Sequence, residues 1–441
     1  MLDAIVIGAG ISGLATGYYL AIAGKKFVIL ERSSEVGGLI RTEHLDGYTL
    51  EHGPNSLRGD SVELQEIIDG VGLREAVRPP VITRTKNYIA TGGRLVQVPR
   101  SPIDLLSTKL LSGKAKRYLL AEPFHAAHAV EDESVASFFR RRAGTEAVEM
   151  LIKPLMSGIY AGDAEQLSVR SAFPKFYEYE RTHGSLLRGM MKAKKKQRPN
   201  LPRMFSFDEG LSQLPSALHS TLRSQIRLGI SISSIQQREA VWLVELSNGE
   251  LIEAKNLILT TPLEQTTNLL RGVIADALPL VYRPPISIVY LGFKTTSIPR
   301  PLDGFGFLVA PSENSDILGC IYTSALFPNR APMGKSMVTV LMGGARRPDI
   351  CNLSKEEIET RAIKTLAAYL GTPTVAAFVH SHTWEHSIPQ YNLGHWRTIE
   401  ALDAYEHQFP GLHFGGNYRG GISIGSCITT AKSIATTVIG Q

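Results

Sequence analysis

A glycine-rich turn near the start of the chain has the spacing of a phosphate-binding loop. Gly8, Gly10 and Gly13 fit G-x-G-x-x-G between an apolar strand predicted at residues 3 to 8 and a helix predicted at about residues 12 to 24. Bare backbone there lets a pyrophosphate approach the helix N-terminus, whose N–H groups and dipole favour an anion. The turn therefore predicts a dinucleotide site.

An acidic residue ends the second predicted strand, residues 26 to 30. A carboxylate at Glu31 is placed to accept hydrogen bonds from ribose hydroxyls and to repel a 2′-phosphate, which disfavours NADP. Gly37, Gly38 and Arg41 follow, and this order resembles the fingerprint of glutathione-reductase-type flavoproteins, in which the second loop approaches the phosphates. The resemblance favours FAD over NAD.

A second group of glycines lies close to the end of the sequence. Gly416 and Gly421 follow a predicted strand and open a helix from about residue 420, whose positive N-terminal dipole could stabilise an anionic reduced flavin ring. Both ends of the chain must then meet at one cofactor. The predicted cofactor-binding residues are Gly8, Gly10, Ile11, Ser12, Gly13, Glu31, Arg32, Gly37, Gly38, Arg41, Gly53, Pro54, Asn55, Ser56, Ile232, Trp384, Gly416, Asn417, Gly421, Ile422, Ser423 and Ile424.

The elements around these motifs predict an α/β fold with several domains, since 441 residues exceed the usual size of a single core. We expect a Rossmann-type FAD-binding domain, a mixed-sheet substrate domain and an inserted helical lobe. Strands predicted at 226–235, 241–246 and 257–259 suggest a small sheet that caps the cofactor domain. The expected divisions are 1–80, 206–262 and 405–441 for FAD, 81–99 and 263–404 for substrate, and 100–198 for the helical lobe.

The composition is that of an ordinary globular protein, with 43% hydrophobic and 20% charged residues. The chain has no run of about 18 apolar residues and leads from Met1-Leu2-Asp3 directly into a strand, so we expect a cytoplasmic location without a secretory signal. Cys320, Cys351 and Cys427 lack metal-ligand spacing and are expected to be free thiols. We therefore expect no metal site.

Several internal segments resemble the protoporphyrinogen oxidase family over nearly the full length of the chain. They are residues 156–163, 304–309, 326–332 and 416–421, the last being most similar to the plant mitochondrial branch. The resemblance implies a homodimer that oxidises protoporphyrinogen IX to protoporphyrin IX in haem biosynthesis. Hydride passes to FAD, and reoxidation by O2 releases H2O2.

Three other functions stay open. One is oxidation of coproporphyrinogen III to coproporphyrin III, and another is an amine oxidase or desaturase activity of the same FAD-dependent superfamily. The third is a flavin-bearing partner protein without turnover. Because the flavin carries the chemistry, no catalytic residue is assigned, and His52, His382 and His395 are expected to be structural.

The resemblance also implies a set of substrate contacts. Leu308, Ile321 and Leu341 correspond to an apolar clamp on the tetrapyrrole, with core packing as the alternative. A backbone carbonyl near Ala161 or Gly162 corresponds to an acceptor for pyrrole N–H groups. Trp384 corresponds to an aromatic residue near the flavin.

One position departs from the family pattern. Members specific for protoporphyrinogen carry an arginine that pairs with a propionate where this chain has Asn87. An amide cannot form a bidentate charge-assisted pair, so Arg84, Lys86 or another cation must take that role, or the contact is weaker. The choice between the two porphyrinogens therefore depends on this region.

The helical lobe ends in a basic and apolar stretch. Leu186, Leu187, Met190 and Met191 alternate with cations that continue through residues 194–198. Such a surface suits either peripheral contact with the inner face of the cell membrane or a solvated charged face. Nucleic acid is not expected as a partner, because aromatic residues for stacking are missing from the stretch.

Overall fold

The structure is a computed structural model that describes residues 1–82, 86–127, 130–193, 199–274 and 278–440. Its strands are β1 Leu2–Ile7, β2 Phe27–Leu30, β3 Thr42–Leu45, β4 Tyr48–Glu51, β5 Leu57–Arg58, β6 Val77–Arg78, β7 Lys86–Thr91, β8 Arg94–Gln97, β9 Met204–Phe207, β10 Ile226–Arg227, β11 Ile232–Arg238, β12 Val241–Leu246, β13 Leu251–Leu259, β14 Ile286–Lys294, β15 Gly304–Val309, β16 Ile317–Ile321, β17 Lys335–Gly343, β18 Phe378–Trp384 and β19 Leu412–Phe414. Its helices are α1 Ile11–Ile22, α2 Val62–Gly70, α3 Pro102–Ser107, α4 Gly113–Leu120, α5 Val135–Ala143, α6 Thr145–Ala147, α7 Lys153–Tyr160, α8 Val169–Ala172, α9 Pro174–His183, α10 Leu186–Lys192, α11 Gln213–Thr221, α12 Leu263–Leu269, α14 Lys355–Leu370, α15 His395–Gln408 and α16 Ile424–Ile439, with α13 Thr323–Leu326 between β16 and β17.

The first sheet carries the glycine-rich turn. Its strands follow the order β10-β2-β1-β13-β12-β11, and β19 also pairs with β13. Along β1 the buried residues alternate between two cores: Ala4 and Val6 pack with α1 and α16, and Ile5 and Ile7 pack with the opposite face. Helices therefore cover both faces, as expected of a Rossmann-type sheet.

The strands that were expected to form a separate cap belong to this same sheet. Strand β13 is nine residues long, so its first half pairs with β12, with Trp242 opposite Ala254, while its second half pairs with β19. Along its other edge β13 runs parallel to β1. The expectation of a distinct capping sheet is wrong, because one long strand joins the hairpin to the parallel core.

The second sheet has the order β18-β14-β17-β16-β15-β7-β8 and is antiparallel except at the β15 and β7 pair. Helix α14 covers one face with Ile358 and Leu366. Helices α3 to α10 form a lobe whose core, including Phe138, also contains Ile89 of the sheet. The helical segment is thus attached to the substrate sheet.

Two of the expected domain boundaries are misplaced. Leu263, Leu270 and Leu278 pack in the same core as Ile5 of the first sheet, and so does Leu402 of α15. An amphipathic helix shows that it buries one face but not which sheet receives it. Residues 263–274, residues 278–281 and α15 therefore belong to the first domain rather than to the substrate domain.

Within the described ranges, we find no helix with the length and apolar character needed to cross a bilayer.

Candidate functional site

A large cavity runs between the two sheets. Its volume is about 1790 Å³, well above the roughly 300–1,000 Å³ of pockets for drug-sized ligands. The glycine-rich turn lines one end, and β7, β15, β16 and helix α7 line the other. The cavity has room for a cofactor and a second large molecule side by side.

The glycine-rich turn forms the nucleotide end of this cavity. Gly8 has a φ of +103°, which favours glycine, and Gly10 leads into α1 with open space around it. A Cβ on Gly13 would lie 1.9 Å from the carbonyl oxygen of Gly8. Gly13 does not line the cavity and instead lets helix α1 pack against the end of β1.

The first helix presents a free N-terminus to the cavity. Its preceding residue, Gly10, provides no capping side chain, and its first turn has no acidic residue. The unpaired N–H groups at this end suit a phosphate.

Glu31 holds two loops together. Its carboxylate accepts from the N–H of Ala9 at 2.7 Å and from that of Ser33 at 2.8 Å. Gly37 also links the two loops, because its N–H donates to the Ala9 carbonyl oxygen at 2.9 Å. Glu31 lines the cavity, as predicted for a ribose contact, and it also fixes the phosphate-side backbone.

The C-terminal motif reaches the same cavity. Helix α16 begins at Ile424, not at about residue 420, because Gly420 and Gly421 have positive φ angles and Ser423 is the N-cap, whose hydroxyl accepts from the Ser426 N–H at 3.1 Å. Gly421 does not line the cavity: its N–H donates to the Tyr391 hydroxyl at 3.1 Å. Gly421 therefore shapes the turn.

Most of the predicted cofactor residues lie on the cavity wall. They are Gly8, Gly10, Ile11, Ser12, Glu31, Arg32, Gly37, Gly38, Arg41, Gly53, Pro54, Asn55, Ser56, Ile232, Trp384, Gly416, Asn417, Ile422, Ser423 and Ile424.

The segment after β4 joins the two sheets beside the cavity. Trp384 at the end of β18 donates its indole N–H to the backbone carbonyl of His52 at 2.5 Å. The Arg41 guanidinium lies 5.8 Å from the centre of the Trp384 ring. Gly53 is required for close approach, since a Cβ there would lie 2.0 Å from the Leu39 carbonyl oxygen.

The second end of the cavity is apolar. Leu308, Ile321 and Leu341 line it, as does Asn87. Within the described residues, no charged side chain of the second sheet or of helix α7 faces the cavity. This wall suits a large flat apolar molecule whose charged groups lie at the rim.

The predicted carbonyl acceptor near Ala161 has a different environment. Ala161 lines the cavity in a left-handed conformation with φ +47°, but its carbonyl accepts from the Ala345 N–H at 2.7 Å. Gly162 does not line the cavity, and a Cβ there would lie 2.4 Å from the Gln390 Oε1 atom. The prediction is corrected for Gly162, since the chain turns away after Ala161.

Of the two cations proposed in place of an arginine at position 87, only Lys86 lies in the described structure. Lys86 is paired with Asp303 at 2.5 Å, and Tyr88 donates to the same carboxylate at 2.7 Å. Arg84 lies outside the described residues, as do the cations of residues 194–198. Lys86 is therefore already paired with the Asp303 carboxylate.

Three cations on the cavity wall were not predicted: Arg58 and Arg271, which are exposed, and Arg283, which is partly buried. Arg283 donates to the carbonyl oxygens of His386 at 2.8 Å and Ser387 at 3.3 Å, and its side chain is 14% exposed. Burial lowers its pKa, with Glu264 acting in the opposite direction. Its only signal in the sequence is a lone arginine before two prolines.

Comparison with known proteins gives relatives for nearly the whole chain. The sequence profile of the flavin-containing amine oxidoreductase family matches residues 11–439. The mitochondrial protoporphyrinogen oxidase of Nicotiana tabacum is 32% identical over 98% of this chain and 94% of its own length. The coproporphyrinogen III oxidase of Bacillus subtilis is 30% identical over 97% and 96%.

Solved structures agree on the fold. A chain from Exiguobacterium sp. 255-15, provisionally assigned as a protoporphyrinogen oxidase, superimposes with a TM-score of 0.83 at 25% identity over 99% of both chains. A reduced UDP-galactopyranose mutase gives a TM-score of 0.76 at 15% identity over 100% of this chain and 96% of its own.

Proposed function

The chain belongs to the flavin-containing amine oxidoreductase family, and on that premise we propose that it oxidises protoporphyrinogen IX to protoporphyrin IX in haem biosynthesis. The relatives named for oxidation of porphyrinogens match it over nearly their full length, in plants and in bacteria. The observation that carries the proposal is the uncharged apolar wall opposite the nucleotide end of the cavity.

The residues fit FAD. Gly8, Gly10 and the N-terminus of α1 form a cradle for a pyrophosphate, and Gly53 occupies a place where any Cβ would collide with backbone. Helix α16 directs a second N-terminus toward the cavity. When bound, FAD supplies the electron acceptor for the oxidation.

The protein's own residues bind and orient the substrate. Leu308, Ile321 and Leu341 are half-buried on the cavity wall, where they offer aliphatic contacts to the faces of a tetrapyrrole and would exclude water from its meso carbons. Carboxylates are costly to bury without partners. A tetrapyrrole with two carboxylates therefore suits this cavity better than one with four.

Oxidation of coproporphyrinogen III is the second candidate. Asn87 favours it, because by the family resemblance the members that oxidise coproporphyrinogen also lack an arginine at this place. Lys86 does not compensate while it is paired with Asp303.

The two candidates are separated by turnover of both substrates by the FAD-loaded protein, followed by porphyrin fluorescence and H2O2 release against heat-inactivated protein. We expect a higher kcat/KM for protoporphyrinogen IX. Preference for coproporphyrinogen III would assign the second candidate, and activity with neither would point to another amine oxidase or desaturase reaction.

We further propose that the helical lobe contacts the inner face of the cell membrane from the cytoplasm. Large apolar side chains stand in solvent on this lobe: Ile103 is 78% exposed, Phe124 83% and Met191 79%. Lys114 and Arg117 of α4 are exposed nearby in sequence. Such a combination suits an anionic lipid surface.

A homodimer is proposed from the family resemblance. Light scattering on the purified protein tests it, with a mass of about twice 48.2 kDa expected. A mass of one chain at micromolar concentration would reject it.

A further inference from the structure

A cluster of nitrogen and oxygen donors lies between the two domains, beside the cavity described above, whose wall includes His52. Glu43 is on β3, His52 follows β4 and His380 is on β18, and their potential ligand atoms all lie within 4.8 Å of one another. The Glu43 Oε2 atom is 2.8 Å from His52 Nε2 and 3.5 Å from His380 Nε2. The FAD domain contributes two of these residues and the edge of the second sheet contributes the third.

The neighbouring hydrogen bonds determine where the His52 proton lies. Tyr290 has one hydroxyl proton, which it donates to the Glu51 carbonyl at 2.7 Å. The Tyr290 oxygen, 3.1 Å from His52 Nδ1, can then only accept, so Nδ1 carries the proton. In the neutral ring the lone pair is therefore on Nε2, facing Glu43.

Two acceptors thus face each other at 2.8 Å. A carboxylate oxygen and an imidazole lone pair repel at that distance unless a cation lies between them. A second proton on His52 would also satisfy the pair, as a hydrogen-bonded ion pair with Glu43, and metal binding distinguishes the two arrangements. A metal ion satisfies both atoms and recruits the His380 nitrogen as well.

We propose that Glu43, His52 and His380 bind one divalent transition-metal ion of the zinc class. Two imidazoles and one carboxylate form a known zinc ligand set, which leaves a further position for water. In a tetrahedral site, bonds of about 2.0–2.2 Å place the ligand atoms roughly 3.3–3.6 Å apart. The Glu43 carboxylate lies 3.5 Å from the His380 nitrogen and 2.8 Å from the His52 nitrogen, so a small shift of His52 would complete the site. The Nδ1–H bond to Tyr290 is the outer contact that a metal-binding imidazole usually makes.

A third imidazole lies beside the cluster. The ring of His382 is 4.5 Å from that of His52, and its Nε2 atom is buried without a hydrogen-bond partner. An unsatisfied buried nitrogen is costly unless an unseen group, such as a water or an ion, supplies its partner.

The ion would connect the β3–β4 hairpin to the second sheet. His52 already accepts the Trp384 indole N–H through its carbonyl, and Gly53 lines the cavity next to it. The ion would add a link between the same two elements. This inference does not depend on the identity of the substrate, and the ligands were missed in the sequence because more than 300 residues separate His380 from His52.

The test measures metal binding by the FAD-loaded protein. The protein is treated with a chelator, dialysed and equilibrated with Zn²⁺, and its metal content is measured by plasma mass spectrometry together with its thermal midpoint. We expect one Zn²⁺ per chain and a rise of several degrees in the midpoint. The variants E43Q and H380Q should bind Zn²⁺ at least tenfold more weakly.

The matched control is H44Q. His44 is next to Glu43 on the same strand, is exposed and bonds Thr49 through Nδ1 at 3.2 Å, so its loss should leave Zn²⁺ binding unchanged. The metal-free E43Q variant should be at least as stable as the metal-free wild type, because its amide N–H can donate to His52 Nε2. If the wild type retains no Zn²⁺, or if H380Q binds it equally well, the proposal is wrong and a proton bridges the pair.

Discussion

The Nη2 atom of Arg330 lies 3.1 Å from the Oε1 atom of Glu51, and neither side chain is more than 1% exposed. The pair joins a turn of the substrate domain to strand β4 of the FAD domain. Glu51 also accepts from the Leu211 N–H, and Arg330 donates to Ser206 at 2.5 Å. Arg330 Nε and Nη1 have no partner within the described structure, so the ion pair supplies much of the compensation for this buried charge.

Replacing one member of this pair should destabilise the protein strongly. Arg330→Met leaves the Glu51 carboxylate buried without its cation, and we expect a loss of about 3–5 kcal/mol in the free energy of unfolding. Urea denaturation measures it. Arg78→Met is the matched control, since Arg78 pairs with Asp208 at 2.6 Å at a half-exposed site and should cost less than about 1 kcal/mol.

The double variant Glu51→Gln with Arg330→Met should recover part of that loss, because it removes both charges together. Additive losses from the two single changes would show that the pair is not coupled.

Two glycines of the same turn should respond differently to alanine. Gly13→Ala puts a Cβ 1.9 Å from the Gly8 carbonyl oxygen, so the turn must shift and the purified protein should lack flavin absorbance. Gly10 has open space and an ordinary φ of −71°, so Gly10→Ala should fold, with weaker FAD binding because the methyl group enters the phosphate cradle. Equal FAD contents in the two variants would contradict these separate roles.

Asn87→Arg should strengthen binding of a carboxylated tetrapyrrole. Asn87 is exposed on the cavity side of β7, and a guanidinium there can form a charge-assisted pair of about 1.5–3 kcal/mol. We expect the KM for protoporphyrinogen IX to fall at least tenfold, with a smaller change in kcat. Asn87→Gln lengthens the side chain without charge and should leave the KM near that of the wild type; an unchanged KM in Asn87→Arg would place the propionates elsewhere.

Acid should destabilise the protein through a buried histidine. Burial lowers the pKa of His395 from 6.5 to about 4, against the hydrogen bond of its ring to the Tyr418 carbonyl. Above pH 6.5 the His395 ring is neutral in both the folded and the unfolded state, so it does not lower the free energy of unfolding. Between pH 6.5 and 4 the ring is protonated in the unfolded chain but stays neutral in the folded chain, so the free energy of unfolding falls by up to about 1.4 kcal/mol per pH unit.

The contribution of His395 levels off below about pH 4. Urea denaturation from pH 7 to pH 4 measures how steeply the free energy of unfolding falls with pH. His395→Gln should reduce this slope by the equivalent of about one bound proton, and its amide can still donate to the Tyr418 carbonyl. The remaining slope includes His413, whose pKa burial lowers in the same way. Identical slopes in wild type and variant would exclude His395 as a source.

Membrane contact should depend on the exposed apolar residues of the lobe. The double variant Ile103→Glu with Phe124→Glu should reduce co-sedimentation with vesicles containing anionic lipid by at least tenfold, because it removes two apolar contacts and adds repulsion. Met333→Glu changes a fully exposed residue outside the lobe and should have no effect. Equal loss in both variants, or none in either, would contradict the lobe as the contact.

The cofactor end of the site could be predicted from the sequence because its signals are local. Gly8, Gly10 and Glu31 stand within one strand-turn-helix-strand unit, where spacing along the chain fixes spacing in the structure. The substrate end could be predicted only from the family resemblance, because its apolar residues show the same sequence pattern as residues of the hydrophobic core. Arg283 and the Glu43 cluster could not be predicted, since their geometry exists only after two domains meet.

The domain boundaries failed for a related reason. Helices α12 and α15 have an apolar face, but their sequence does not identify the sheet that buries it. Gly13 and Gly421 were correctly placed in their motifs, yet they act through close packing and turn geometry rather than on the cavity wall.

The pairing of β1 with β13 sets an order of events for a chain that is still being made. Strand β2 emerges within about 30 residues of β1, but β13 is some 250 residues later, a delay of roughly 12–50 s at 5–20 residues per second. Strand β19 and helix α16, which complete the same sheet and its cavity, are translated later still. Flavin capture therefore has to wait for these elements, and ribosome stalling before β19 would yield chains that cannot retain the cofactor.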